Sequence, residues 1–249
     1  MPSGRSVDGV NSEPTHQHVR IAVVLFALTV TAGSIDAVTF LGLGHAFAAL
    51  TTGNVLFLGF GAVRAGTPVA RPAEALAAFA VGAAAAHAVV SRLDRRGRPW
   101  FVPAVTAETV TVLLAGLVVV GTSGRHAPSE PVTAVAVALL AAAMGWRSRV
   151  MVQARVPDMP TTVLQITMVK LLADVLPGRS AVPREPVPAR ARRAATVIGV
   201  FVGGVLGALL LRLGPGPALV CVAGLSGCVA ALYGGARRLR PPPESARVR

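Results

Sequence analysis

The chain has 249 residues, of which 53% are hydrophobic and only 14% are charged. Soluble domains carry about a quarter of their residues as charged side chains and disordered chains are poor in apolar residues, so the composition excludes disorder and argues against a soluble domain. The net charge of +13 would suit a nucleic-acid binder, but such proteins place their basic residues on a polar surface, which this chain lacks. The class that remains is an all-α integral membrane protein.

The apolar segments predict the helices in chain order. The polar residues 1–18 are expected to form a disordered cytoplasmic tail, residues 19–236 a single transmembrane domain, and the basic residues 237–249 a second cytoplasmic tail. None of the apolar segments alternates with a period of two, which a membrane β-barrel would require. Two of them, the second and the sixth, are short and poorly apolar at one end. The eight segments are 19–43, 46–63, 72–91, 100–121, 131–146, 160–176, 194–213 and 216–236.

The distribution of arginine distinguishes two topologies. If all eight segments cross the bilayer, the internal loops place eight basic residues on each side, and the preference of cytoplasmic loops for Lys and Arg favours neither orientation. If segments 46–63 and 160–176 enter and leave on the same side, twelve basic residues face the cytoplasm and four face outward. The second topology is therefore preferred. It has six transmembrane helices, two short re-entrant or broken helices and both termini on the cytoplasmic side of the membrane.

This topology divides the transmembrane domain into two similar halves, 19–121 and 131–236. Each half contains, in order, one span, one short segment and two further spans. Thr51-Thr52 in the first half corresponds to Thr161-Thr162 in the second, at an offset of 110 residues. Because three spans bring the chain to the opposite face, the second half is inverted relative to the first. In such inverted-topology repeats, broken helices meet near the bilayer midplane and form a solute site. Eight full spans are the alternative.

Two groups of motifs resemble the signatures of a known family. The first is Gly33-Ser34-Ile35-Asp36-Ala37-Val38-Thr39-Phe40-Leu41 with Phe47, Thr51-Thr52-Gly53-Asn54 and Leu58-Gly59. The second is Met144-Gly145 with Val156-Pro157-Asp158-Met159-Pro160-Thr161-Thr162-Val163-Leu164. Together they are similar to the bacterial YoaK-type membrane proteins, a family of uncharacterised function, over residues 20–236.

The resemblance implies a multi-pass membrane protein and no particular substrate. The chain departs from the family at Arg147-Ser148, where a Gln-Asn pair is usual, and at Gln165-Ile166, where Thr-Gly is usual. If those polar groups contact a solute, the departures imply a different substrate or an inactive member.

Asp36 is the first candidate functional residue, because a carboxylate inside a bilayer costs at least about 2.5–3.5 kcal/mol on insertion scales. It must be paired, protonated or in contact with water. One hypothesis is a proton- or cation-linked solute site; its members would be Asp36, Thr51, Thr52, Gly53 and Asn54, with Thr161, Thr162 and Gln165 opposite. The alternative is a structural hydrogen bond to the Thr-Gly-Asn turn, where glycine permits a break in the helix and asparagine offers both donors and acceptors.

Two further polar residues lie within apolar segments. Glu108 and His87 are candidates for a proton relay, although Glu108 would also suit a shallow, solvated position and His87 would also suit a hydrogen-bonded packing role. On the seventh segment, Gly199, Gly203 and Gly207 form a stripe of small residues that lets two helices approach closely. The stripe serves either packing within the chain or the formation of a homo-oligomer.

The sequence contains none of the common catalytic or nucleotide-binding motifs. We therefore expect no enzyme activity, no catalytic residue, no cofactor and no metal site. The preferred function is a transporter or channel for a small solute or ion, with the lipid bilayer as partner and no nucleic acid. A non-transporting membrane scaffold or assembly factor is the first alternative, and an intramembrane enzyme that uses Asp36 is the second.

Overall fold

The computed structural model describes residues 13–66, 69–123, 127–153 and 187–235. Within these ranges the chain is helical, with no strand. A 3-10 turn, Leu211–Leu213, joins the last two helices. The helices are α1 (Glu13–Gly42), α2 (Thr51–Ala62), α3 (Ala70–Arg95), α4 (Phe101–Ser123), α5 (Glu130–Gln153), α6 (Val187–Leu210) and α7 (Pro215–Gly235).

The lengths and surfaces of these helices support an α-helical membrane protein. Among the described residues, five stretches are long and apolar enough to cross a bilayer, namely α3, α4, α5, Ala194–Leu213 and Pro215–Leu232. Large apolar side chains are exposed on the outside of the bundle, for example Val81 at 66% and Phe201 at 72%. Such exposure would be unfavourable in water but is expected where helices face lipid.

Helices α1 and α2 differ from these five stretches in length. The 30 residues of α1 extend about 45 Å, and its described apolar part is Phe26–Gly42. The 12 residues of α2 extend only about 18 Å, less than the hydrocarbon core of about 30 Å. The prediction of a short second helix is therefore confirmed, whereas the predicted sixth segment, 160–176, lies outside the described residues.

The helices pack mainly as three pairs, α1 with α6, α3 with α5, and α4 with α7. Glycines lie where each pair crosses, and their missing side chains let the backbones touch. A Cβ on Gly203 of α6 would lie 2.3 Å from the carbonyl oxygen of Val30 in α1. A Cβ on Gly82 of α3 would lie 2.0 Å from the carbonyl oxygen of Ala142 in α5. The stripe Gly199, Gly203 and Gly207 thus packs within the chain, against α1.

Several helix boundaries differ from the sequence prediction, among them the start of α1 and the end of α5. Helix α1 begins at Glu13, so it includes the last residues of the expected tail 1–18. Helix α5 continues to Gln153, beyond the predicted end at residue 146, because Val150 and Met151 extend its buried face. The prediction that ended the fifth segment at residue 146 counted Arg147 among the twelve basic residues of the cytoplasmic loops. That assignment is wrong, because Arg147 lies on α5 and is buried.

Candidate functional site

After α1 ends at Gly42, the chain turns back along the same helix. The turn places Gly44 at φ 107° and His45 at φ 60°, in the left-handed region that glycine adopts most easily. The ring of Phe47 then stacks on that of Phe40, with centroids 4.6 Å apart, and Ala49 reaches Asp36. Residues 43–50 therefore run beside the last two turns of α1 before α2 begins.

The carboxylate of Asp36 holds this returning segment. Its Oδ1 accepts a hydrogen bond of 2.7 Å from the backbone N–H of Ala49, and the amides of Ala48 and Leu50 also interact with it. Leu50, at the N-cap position of α2, offers no side-chain cap. Asp36 therefore binds amides of the residues that directly precede α2, and its negative charge lies near the N-terminus of that helix, which is a favourable position.

Asn54 fixes the same segment from the other side. Its Oδ1 accepts from the backbone N–H of Phe47 at 2.9 Å, and its Nδ2 donates to the carbonyl oxygen of Phe47 at 2.7 Å. Asn54 is only 1% exposed, so both halves of its amide are used inside the protein. Gly53 makes room for Phe47, because a Cβ there would lie 2.8 Å from the ring carbons.

The break in the helix therefore does not lie at the Thr-Gly-Asn motif, where the sequence analysis placed it. Residues Thr51 to Asn54 form the first turn of α2, and the non-helical stretch is 43–50. Thr51 is partly buried and Thr52 is exposed. Neither hydroxyl has a hydrogen-bond partner among the residues that the structure describes. The structure thus joins Asp36, Gly53 and Asn54 through the returning segment and leaves the two threonine hydroxyls unused.

Three residues of the predicted solute site, Thr161, Thr162 and Gln165, lie outside the described ranges. That these residues face Asp36 stays a prediction.

A second polar centre lies deeper in the bundle, towards the end marked by Trp100. Arg147 of α5 forms an ion pair with Glu108 of α4 through Nη2 and Oε1, and the side chains are only 8% and 1% exposed. Glu108 lies seven residues, about 10 Å, from the start of α4. Because Glu108 is only 2% exposed, the alternative of a solvated Glu108 is wrong.

Arg147 also ties this pair to α1. Its Nη1 donates to the carbonyl oxygen of Leu28 at 2.8 Å and to Oγ1 of Thr31 at 2.9 Å. Thr31 precedes Asp36 by five residues, about 7.5 Å along α1, and the charge of Arg147 attracts that of Asp36. One guanidinium thus connects α1, α4 and α5 close to the returning segment.

His87 and Glu108 are not brought together as a relay. His87 of α3 contacts Arg149, whose Nε lies 3.2 Å from its Nδ1. Arg149 also donates to Gln153 at 2.9 Å, and Gln153 donates to Asp94 at 3.2 Å. His87 therefore belongs to a surface network at the Trp100 end, whereas Glu108 belongs to the buried pair.

Arg147 is the functional candidate that the sequence analysis missed. The predicted segment stopped at Trp146 because a run of polar and basic residues follows. The signal was helical periodicity: Val137, Leu140 and Met144 are buried at intervals of three and four, and Arg147 and Met151 continue the same series. A basic residue at a buried position requires a buried partner, and Glu108 was the available acid.

Comparison with known proteins identifies a family. The family described as "Protein of unknown function (DUF1275)" matches residues 24–232, which include Asp36, Asn54, Glu108 and Arg147. The chain therefore belongs to this family. No curated protein and no solved structure matches it. The match supports the general statement made from the sequence motifs, that the chain resembles a family of uncharacterised function over most of its length.

Proposed function

We propose that this protein is a transporter or channel for a small solute or ion in the bacterial inner membrane, built as an inverted-topology repeat. The observation that carries the proposal is the symmetry of the helix crossings. In the proposed repeat, the first half consists of α1 to α4, and the second half consists of α5, segment 160–176, α6 and α7. A two-fold relation between the halves would exchange α1 with α5, α3 with α6, and α4 with α7.

The contacts between helices follow this exchange. It converts the pair α1–α6 into the pair α5–α3, and both are among the three main pairs. It also maps the pair α4–α7 onto itself, and that pair is the third. Three pairings that agree with one exchange favour a common structural origin for the two halves.

The closest backbone contacts support the same relation residue by residue. A Cβ on Gly33 would lie 2.7 Å from the carbonyl oxygen of Val200. The equivalent Cβ on Gly145, at an offset of 112 residues, would lie 2.0 Å from the carbonyl oxygen of Phe79. Phe79 and Val200 are themselves offset by 121 residues. Gly82 and Gly203 have the same offset of 121 residues. Gly82 faces Ala142, and Gly203 faces Val30.

The crossing of α4 and α7 is symmetric about its own centre. Gly116 packs against Val220, and Gly216 packs against Val120. Each glycine and each valine is related to its counterpart by an offset of 100 residues. This is the pattern expected where a two-fold axis passes between two equivalent helices.

The non-helical segment 43–50 connects this symmetry to function. Asp36 and Asn54 hold the segment against α1 below the level of Gly42, and α2 is too short to span. Non-helical backbone at membrane depth is tolerated where it is covered by protein or lines a cavity. Broken helices at the interface of inverted repeats form the solute site in transporters of this architecture. We propose that Thr51 and Thr52 offer their unused hydroxyls there, and that Thr161, Thr162 and Gln165 contribute from the second half.

The arginine count supports the orientation. With Arg147 removed from the loops, eleven basic residues face the proposed cytoplasmic side and four face outward. Both termini are then cytoplasmic, as the preference for basic residues in cytoplasmic loops favours. No enzymatic step, cofactor or nucleic acid enters the proposal, and the lipid bilayer is the partner.

A non-transporting scaffold is the second candidate, and one observation favours it. The carboxylate of Asp36 and both ends of the Asn54 amide are bound to backbone groups. These hydrogen bonds are sufficient to explain why both residues are present without a solute.

Reconstitution separates the two candidates. The purified protein is screened against inorganic ions and small metabolites for ligands that raise its apparent melting temperature, and each hit is tested for flux into proteoliposomes. On the transport proposal, Asp36→Asn and Thr52→Val keep the fold but lose at least tenfold in solute affinity or flux. Thr106→Val is the matched control, since Thr106 is an exposed threonine of α4 that bonds only to its own helix. Wild-type affinity and flux in Asp36→Asn and Thr52→Val, with a confirmed solute, would contradict the site assignment. Absence of both stabilisation and flux across the panel would favour the scaffold.

A further inference from the structure

The guanidinium of Arg147 is only partly satisfied by its neighbours. Its Nη1 makes two hydrogen bonds to α1, and its Nη2 makes one to Glu108. Its Nε is buried and has no hydrogen-bond partner among the described residues. Nε and Nη2 lie along one edge of the guanidinium, and that edge matches the two oxygens of a carboxylate. Glu108 therefore fills half of a two-point binding edge.

A second unpartnered group lies at the same level. In the described part of the chain, Oγ of Ser226 in α7 is the other buried side-chain polar atom without a partner. Gly116 packs on Val220 and Gly227 on Thr109, so α7 runs antiparallel to α4. This register places Ser226 level with residues 109–111, within one turn of Glu108.

The contacts of α7 with α1 give the same level. Pro215 packs against Gly42, and Val229 shares an apolar cluster with Leu28. Between these two contacts, the antiparallel register places Ser226 level with Thr31, the residue that Arg147 binds. Both unpartnered atoms therefore lie in the layer where α1, α4, α5 and α7 meet.

We infer that this layer is a binding site for a small monocarboxylate, which takes the Nε–Nη2 edge of Arg147 in exchange for Glu108 and accepts a hydrogen bond from Ser226. Buried polar atoms without partners are rare in folded proteins, and a carboxylate supplies acceptors for both. The ligand class follows from charge and surroundings. A monocarboxylate brings one negative charge next to Arg147 and Glu108, whereas a divalent oxyanion would bring a second uncompensated charge into an apolar interior. The adjoining apolar cluster, which includes Leu28 and Trp146, suits a small apolar body.

The role of this layer as a substrate site rests on the proposed transport function. Its role as a binding site rests on the geometry alone. It would define the solute as an organic anion and Glu108 as the internal competitor that occupies Arg147 when no solute is bound.

The test uses the full-length protein in detergent, with sodium formate, acetate and lactate as probes at constant ionic strength in sodium chloride. Carboxylate-dependent increases in apparent melting temperature give the affinities. Glu108→Gln removes the competing charge and keeps the shape, so it should bind at least one of the probes at least tenfold more tightly than the wild type. Ser226→Ala should bind the same probe several-fold more weakly than the wild type. Arg149→Gln, at a neighbouring arginine of α5 outside the pair, should bind like the wild type.

Arg147→Gln should abolish binding. It also leaves Glu108 buried without a cation, which destabilises the protein and lowers its expression. The double variant Glu108→Gln with Arg147→Gln removes both charges and leaves no buried charge without a partner, so it should fold and still fail to bind. Carboxylate binding retained in the double variant would overturn the inference. So would the absence of carboxylate-specific stabilisation in both the wild type and Glu108→Gln, which would assign the unpartnered atoms to water.

Flux measurements separate this inference from the proposed function. Carboxylate binding that depends on Arg147, without flux in proteoliposomes, would support the site and contradict transport. Flux of another solute together with no carboxylate binding would support transport and overturn the site.

Discussion

The molecule carries two carboxylates within its apolar helices and satisfies them in different ways. Asp36 is bound by backbone amides of the segment that directly follows its own helix. Glu108 is bound by Arg147, which lies on a different helix and also contacts a third. The first arrangement closes a local turn, and the second connects distant parts of the chain. The contrast suggests that Asp36 shapes one short segment, whereas the Glu108–Arg147 pair governs how the proposed halves are held together.

The largest effect is expected at the connecting pair. Arg147→Gln leaves Glu108 buried beside no cation, and breaking a buried ion pair from one side costs about 3–5 kcal/mol. The double variant with Glu108→Gln should recover most of that loss, because no buried charge remains. Thermal unfolding in detergent measures both. Arg149→Gln is the control, since Arg149 is less buried, and it should lose about 1 kcal/mol or less. Equal destabilisation by the single and the double variants would show that the pair is not the connection described here.

A smaller effect is expected at the local carboxylate. Asp36→Leu leaves the amide of Ala49 without an acceptor, which typically costs about 1–3 kcal/mol, whereas Asp36→Asn keeps an oxygen and should cost less. Asn54→Ala acts on the same segment, so its effect should be non-additive with that of Asp36→Leu in a double-mutant cycle. The effects of Asp36→Leu and Arg147→Gln are expected to be nearly additive if the two centres are separate. Strong coupling between them would join the two regions into one site.

The helix crossings allow a matched test on neighbouring glycines. A Cβ on Gly203 would lie 2.3 Å from the carbonyl oxygen of Val30, whereas one on Gly204 would meet nothing within 4 Å. Gly203→Ala should therefore destabilise the fold by about 1–3 kcal/mol, the usual cost of overpacking. Gly204→Ala should be neutral or stabilising by up to about 1 kcal/mol, because alanine favours the helix. Unfolding curves that do not separate the two variants would contradict the packing of α6 on α1.

The sequence predicted the helices well because hydropathy reports directly on segments that face lipid or a core. It predicted the position of the break poorly, since the non-helical residues include Ala46, Phe47, Ala48 and Ala49, which are as apolar as a helix. Their backbone conformation is set by contacts with Asp36 and Asn54, which hydropathy does not encode. The sequence analysis grouped Asp36 with Asn54, either in a solute site or through a hydrogen bond to the Thr-Gly-Asn turn. The structure joins the two residues through the backbone of residues 47–50.

Arg147 was misplaced for a related physical reason. The end of a membrane helix is usually recognised by its first charged residue, and Arg147 is that residue in α5. The criterion fails when a charge is buried, since burial depends on a partner that lies 39 residues away in sequence. Helical periodicity beyond the apolar segment predicts that Arg147 is buried only if charged residues are also allowed at the core-facing positions of the helix.

The proposed relation between the two halves is the central claim, and the sidedness of three loops tests it most directly. Single cysteines replace Pro99, Ser129 and Ser180 in turn, in a background in which Cys221 and Cys228 are serine. Intact cells are treated with a membrane-impermeant thiol reagent before and after permeabilisation. The account predicts that position 129 reacts in intact cells and that positions 99 and 180 react only after permeabilisation. Labelling of positions 99 and 180 from opposite sides would contradict the re-entrant, inverted arrangement and favour eight full spans.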